Sequence, residues 1–164
     1  MNDLKSFKIL IVDDAKTNID ILVEALREDY RIGTAMNGDR AIASANRSRP
    51  DLILLDVMMP GINGFEVCQN LKKDPITCEI PIIFITALDA PEHKTRGFEI
   101  GAVDYIMAPF DIAEGKARVK THLELKIARE ALDTQNRILE QKVREPPTEL
   151  EIPPEMTVQG LKDL

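Results

Sequence analysis

Short unbroken apolar runs recur along the chain, separated by amphipathic stretches. Ile9-Leu10-Ile11-Val12, Leu52-Ile53-Leu54-Leu55 and Ile82-Ile83-Phe84-Ile85 contain no polar residue. Runs of this length, bounded by turn residues, predict strands covered on both faces, as central strands of a parallel sheet are. Tyr30-Arg31-Ile32-Gly33-Thr34-Ala35 alternates instead, which suits the edge of the sheet, and Tyr105-Ile106-Met107 predicts a short fifth strand. Between these runs, Ile19, Leu22, Val23 and Leu26 stand at i, i+3, i+4 and i+7, one face of a helix. Asn37-Gly38 turns the chain into a second helix carrying Ala41, Ile42 and Ala45. Asn63 with Glu66 predicts a capping box ahead of Phe65, Cys68 and Leu71. Pro91 fits the first turn of a fourth helix and Gly101 its end, while Asp111 with Glu114 repeats the cap signature for a fifth. Strands alternating with helices in this way predict an α/β fold, a doubly wound, mostly parallel five-stranded sheet.

The last helix is expected to run long, because from Ile112 to about Val143 there is no proline and Gly115 is the only glycine. Ala117 and Val119 in its first turns are expected to pack on the sheet. Further on, Leu125, Leu132 and Leu139 fall seven apart, with Ala128 and Gln135 at intervening positions and Lys142 at the end. Such spacing predicts a short coiled-coil seam, and through it a homodimer joined by the last helix. The plainer alternative is an amphipathic helix folded back on its own domain. Pro146, Pro147, Pro153 and Pro154 end the helix. The expected organisation is a domain over residues 1–124, a helical extension over 125–144, and a Pro-rich acidic linker or tail over 145–164.

Composition narrows the function classes. Hydrophobic residues make up 44 % and charged residues 30 %, enough for a core under a solvated surface. The net charge is −7, and the acids of the last twenty residues account for much of it. An acidic chain without a basic stripe argues against direct nucleic-acid binding. Cys68 and Cys78 are too few for a disulfide framework and lack metal-ligand spacing, so both are expected to be reduced. No run approaches a membrane span and no leader-like segment precedes the first strand, so a cytoplasmic location is expected.

The candidate chemistry lies at the strand ends. The first apolar run closes on Asp13-Asp14 and the second on Asp56, followed by Val57-Met58-Met59-Pro60-Gly61. In an open α/β sheet the carboxyl edge is where ligands bind. Adjacent strands lie about 4.8 Å apart, so carboxylates ending them can share one ion. Clustered carboxylates raise one another's pKa unless a cation intervenes, and Mg²⁺ prefers such hard oxygen ligands. Thr86 ends the fourth strand at the same edge, where its hydroxyl could meet a phosphoryl oxygen. Taken singly, Asp13-Asp14 could cap a helix and Thr86 could be an ordinary strand-end threonine. Together they point to a site.

These segments resemble the receiver domain of bacterial two-component response regulators. The resemblance rests on Ile9–Asp14, Asp51–Gly61, Ile85-Thr86-Ala87 and Gly101–Phe110, and spans roughly Lys8 to Leu125. It implies a flavodoxin-like strand order 2-1-3-4-5, with Asp56 as phosphoacceptor from a histidine kinase or phosphotransfer protein. It further implies Asp14, Asp56 and the Met58 carbonyl as Mg²⁺ ligands, with Asp13 acting mainly through water. Thr86 and Tyr105 would form the switch pair, with Met58 and Leu88 tuning phosphoryl lifetime. A cis peptide is expected before Pro109.

Two positions depart from the family pattern. Ala108 stands where relatives carry a lysine that reaches the phosphoryl oxygens; losing such a charge-assisted hydrogen bond removes about 1.5–3 kcal/mol. Gly115 replaces an apolar residue and costs the helix about 1 kcal/mol relative to alanine. The Ala108 change opens an alternative, a phosphorylation-impaired pseudo-receiver acting as a dimerising or docking module. A phosphatase of the haloacid-dehalogenase kind is a third reading, but such enzymes need an aspartate two residues after the nucleophile, where this chain has Met58. No turnover is therefore expected. His93 and His122 have no ligand spacing and are expected at solvent or on helix faces.

Overall fold

The computed structural model describes residues 6–87, 91–108 and 111–144. Leu88, the Ala108–Pro109 peptide, the His93 side chain and the tail over 145–164 lie outside the described residues. Five strands form one sheet: β1 (Lys8–Val12), β2 (Arg31–Ala35), β3 (Leu52–Asp56), β4 (Ile82–Ala87) and β5 (Asp104–Ala108). The helices between and after them are α1 (Lys16–Leu26), α2 (Gly38–Ser48), α3 (Gly64–Lys73), α4 (Pro91–Glu99) and α5 (Ile112–Arg144). The sheet is parallel throughout, in the order β2-β1-β3-β4-β5, so the expected flavodoxin-like topology is present and the alternating strand is indeed an edge.

Alternate residues of each strand enter two cores. Leu10, Val12, Ile53, Leu55, Ile82 and Phe84 pack with α2 and α3 on one face. Ile9, Ile11, Leu52, Leu54, Ile83 and Ile106 pack with α1 and α5 on the other. The unbroken apolar runs are thus explained, because both faces of the central strands are dry. Phe84 and Phe65 meet edge to face with centroids 5.3 Å apart. A Cβ at Gly97 would come within 2.8 Å of Phe84, so glycine is what lets α4 approach the sheet this closely.

The helix caps follow the predicted chemistry. Asn63 and Glu66 form a complete capping box on α3, and the Asn37 side chain accepts from the Arg40 amide at the start of α2. Asp111 accepts from the Glu114 amide at 3.3 Å ahead of α5. Gly101 has φ +111°, the left-handed region that glycine tolerates, and turns the chain from α4 toward β5.

One packing expectation is corrected. Ala117 is exposed, and the residues that α5 buries are Gly115, Val119 and Leu123, at i, i+4 and i+8. Along the same helix, Arg118 and His122 reach Asp104 at the amino end of β5, at 2.7 and 3.0 Å. Lys126 reaches Asp51, just before β3, at 3.3 Å. His122 therefore hydrogen-bonds an acid from a helix face rather than standing free in solvent. Backbone contacts divide the chain after Lys126; beyond that point the described helical residues through Lys142 are solvent-exposed apart from Ile127. No described helix is long and apolar enough to cross a membrane.

Candidate functional site

β1 and β3 are neighbours, with Val12 opposite Leu55, so their carboxyl ends deliver Asp13, Asp14 and Asp56 to the same point. Carboxylate oxygens from all three lie within 4.8 Å of one another. Asp13 is buried, Asp14 exposed and Asp56 half-buried. Asp13 is held by two donors: the Ala15 amide gives to Oδ1 at 2.9 Å, and the Asn18 side chain gives to Oδ2 at 3.0 Å. Sequence reasoning overlooked Asn18; its place in the first turn of α1 beside an acid at a strand end was the available signal.

Burial, the Asp13 charge and the Asp14 charge push the Asp56 carboxyl up to about 7, and the Met58 amide, donating to Asp56 Oδ1 at 3.3 Å, offsets only part of this. No salt bridge among the described residues reaches these acids. The donor set fits a small hard cation: opposite oxygen ligands of an octahedral Mg²⁺ stand about 4.2 Å apart, close to the spread found here.

Gly64 governs the position of Asp56. A Cβ at Gly64 would collide with the Asp56 backbone oxygen and crowd the Val57 Cα. The Gly64 amide also donates to the Val57 carbonyl at 2.9 Å, tying the start of α3 to the residue after the acid. Nothing in the periodicity pointed to this glycine, although glycine in the first turn of a well-capped helix is an unfavourable choice that asks for a reason.

The fourth and fifth strands complete the edge. Thr86 pairs with Met107 and Ala87 with Ala108, which puts Thr86 and Ala108 at the same end of the sheet as the acids. The Thr86 hydroxyl is buried and has no hydrogen-bond partner among the described residues. An orphan buried hydroxyl costs about 1–3 kcal/mol, which an incoming oxygen ligand would recover. Tyr105 is half-buried and packs on Phe98 with centroids 4.9 Å apart; burial and the Asp104 charge raise its pKa. Met58 is 65 % exposed beside Asp56.

The match to known proteins agrees with this geometry. The profile of the response regulator receiver domain matches residues 9–120. The chain belongs to the response-regulator receiver family. Receiver domains act in two-component signal transduction, where they meet histidine kinases or phosphotransfer proteins, and phosphorylation with Mg²⁺ fits the family. Among curated relatives, a "Probable cyclic di-GMP phosphodiesterase" of Vibrio cholerae is 43 % identical over 143 residues, covering 87 % of this chain and 32 % of the relative. Response regulator PleD of Caulobacter vibrioides is 46 % identical over 123 residues, covering 74 % of this chain and 27 % of the relative. The chain thus spans about a third or less of the length of these relatives. Of solved structures, the signal receiver domain of a signal transduction histidine kinase from Syntrophus aciditrophicus superposes with TM-score 0.67 at 36 % identity. That match covers 72 % of this chain and 90 % of the other.

Proposed function

We propose that this receiver accepts a phosphoryl group on Asp56 and converts it into a change of assembly through its last helix. The observation that carries the reading is the convergence of Asp13, Asp14 and Asp56 at one point, with no salt bridge to them among the described residues. A cation bound among these acids would relieve their mutual repulsion. Asp14, Asp56 and the Met58 carbonyl would hold Mg²⁺ directly, with Asp13 acting through water. A bound Mg²⁺ supplies positive charge that offsets the repulsion between a carboxylate and an incoming phosphoryl anion.

The protein's own residues do the rest. Asn18 and the Ala15 amide keep Asp13 turned into the site, and the Met58 amide orients one Asp56 oxygen so that the other faces the donor. An Asp56 oxygen bonds to phosphorus as the phosphorus–nitrogen bond of a phosphohistidine on a histidine kinase or phosphotransfer protein breaks. The Thr86 hydroxyl then donates to a phosphoryl oxygen, and Tyr105 follows by leaving its contact with Phe98. The added charge, by analogy with other phosphorylated side chains, is about −1.5 to −2, enough to bias a two-state loop and face. Residues 1–124 act as the switch, 125–144 as the dimerising extension, and 145–164 as the linker or tail.

Ala108 favours a second reading. With alanine at this end of β5 no side chain reaches from there to the phosphoryl oxygens, and a pseudo-receiver that only dimerises or docks is the alternative. Intact mass after treatment with acetyl phosphate and Mg²⁺ separates the two. The phosphoacceptor reading expects one added phosphoryl group, absent in Asp56→Asn, and a longer-lived adduct in Ala108→Lys. No adduct in either the parent chain or Ala108→Lys, with the same oligomeric state for Asp56→Asn, would leave the docking module.

A further inference from the structure

Large apolar side chains stand exposed along α5: Leu125, Leu132, Ile138 and Leu139 are each about half exposed. Three of them repeat every seven residues. With these leucines at heptad position a, Ala128, Gln135 and Lys142 fall at d, Glu124, Ala131 and Ile138 at g, and Arg129 and Asn136 at e. Placing the leucines at d would put Arg129 and Asn136 inside the seam and leave Ile138 outside it. The first phase keeps Ala131 and Ile138 beside the leucines and is the apolar solution.

We infer that a second copy of this chain covers the stripe in parallel and in register, with Glu124 against the partner's Arg129 and Gln135 against the partner's Gln135. This rests on the homodimer reading above and adds its direction and register. In a parallel two-helix seam a g residue faces the e residue five positions further along the partner. Glu124 then meets Arg129, opposite charges on both sides of the seam, and Ala131 meets Asn136. An antiparallel pair packs a against d, Leu132 against the partner's Ala128, and sets g against g, so that Glu124 would lie over Ile138, a charge against an apolar side chain. Gln135 separates the parallel from the antiparallel case in the same way. At a central d position its amide meets an identical amide only when the helices run together, and the two can then hydrogen-bond across the seam. A paired polar residue inside a short seam specifies register at some cost in affinity.

Cross-linking of the full chain tests the direction. In a Cys78→Ser background, Ala128→Cys and Lys142→Cys are oxidised separately, and sedimentation of the untreated chain measures the dimer with and without acetyl phosphate and Mg²⁺. The parallel register expects a disulfide-linked dimer from each variant. The antiparallel pair would hold the Lys142→Cys thiols about 36 Å apart along the axis, beyond the separation of about 7 Å that a disulfide can bridge. It would hold the Ala128→Cys thiols only about 6 Å apart, so the Lys142→Cys variant decides the direction. In a charge test, Glu124→Arg should raise the dimer Kd about tenfold, and adding Arg129→Glu should return it to within about twofold of the parent. A chain that sediments as a dimer but fails to cross-link through Lys142→Cys overturns the parallel register while leaving the homodimer standing. So does a double variant no tighter than Glu124→Arg alone. A chain that stays monomeric under both conditions removes the homodimer reading and this inference with it. Far-UV circular dichroism on each variant confirms that α5 is intact.

Discussion

At the amino edge of the sheet, Asp104 lies against Arg118 and His122, and Asp51 against Lys126 and the Lys8 amide. At the carboxyl edge, Asp13, Asp14 and Asp56 face one another and no described salt bridge reaches them. The same side chain is thus placed in opposite surroundings about one strand length apart. Burial works to raise the Asp104 pKa, but hydrogen bonds from His122, Arg118 and the Tyr105 amide outweigh it and hold the carboxyl below its ordinary range. Burial and two neighbouring acids push Asp56 up to about 7. Acids answered by fixed cations brace the structure, whereas acids left without one store an unfavourable interaction that a bound cation relieves. The contrast separates a functional edge from a structural one more sharply than the presence of aspartates does.

The contrast can be broken from either side. The largest effect is expected from Gly64→Ala: the added methyl has only the Asp56 and Val57 backbone to push against, and overpacking of this kind costs about 3 kcal/mol. Urea denaturation should show the loss, and Mg²⁺ titration should show weakened binding because Asp56 has moved. A stability unchanged by the substitution would mean that α3 gives way instead.

Metal-free protein should show the next effect in its pH dependence. Between the unfolded carboxyl pKa of about 4 and the folded value of about 7, the native state holds a proton on Asp56 that the unfolded chain has released, so stability falls as pH rises. Asp56→Asn should remove that fall, a gain on the order of 2 kcal/mol at neutral pH in a chelator, and saturating Mg²⁺ should narrow the difference between the two proteins. Equal slopes for parent and variant would show that the strain lies elsewhere.

Asp104 has the opposite sign. Its folded pKa is depressed, so its contribution is present above about pH 4 and disappears as pH falls through the folded value. Asp104→Asn should cost about 1 kcal/mol at neutral pH and almost nothing in strong acid, measurable by urea denaturation at the two pH values. The smallest change should come from Gly115→Ala. Its Cβ would meet Ile106 Cδ1 at 3.6 Å, an ordinary contact, so the gain in helix propensity of about 1 kcal/mol should appear as a modestly higher Tm.

How much of this was legible beforehand follows from what each feature depends on. Strand positions and caps could be read because they are local: four apolar residues in a row, or Asn63 with Glu66, carry their own signal. The acid cluster was legible because strand ends in this topology share an edge. The face that α5 buries was misjudged at Ala117, since Gly115 has no apolar side chain to mark the stripe that Val119 and Leu123 continue. The amino-edge pairs were missed because they join residues 14, 18 and 75 positions apart, and only the assembled sheet brings them together. Gly64 was missed for a related reason: its importance is an absence of volume against another segment's backbone.

Arg118, His122 and Lys126 are four residues apart along α5, so all three project from one narrow strip of its surface. A turn of the helix by one residue, about 100°, would carry every one of them off its acid together. The three contacts together therefore resist any rolling of this helix about its own long axis.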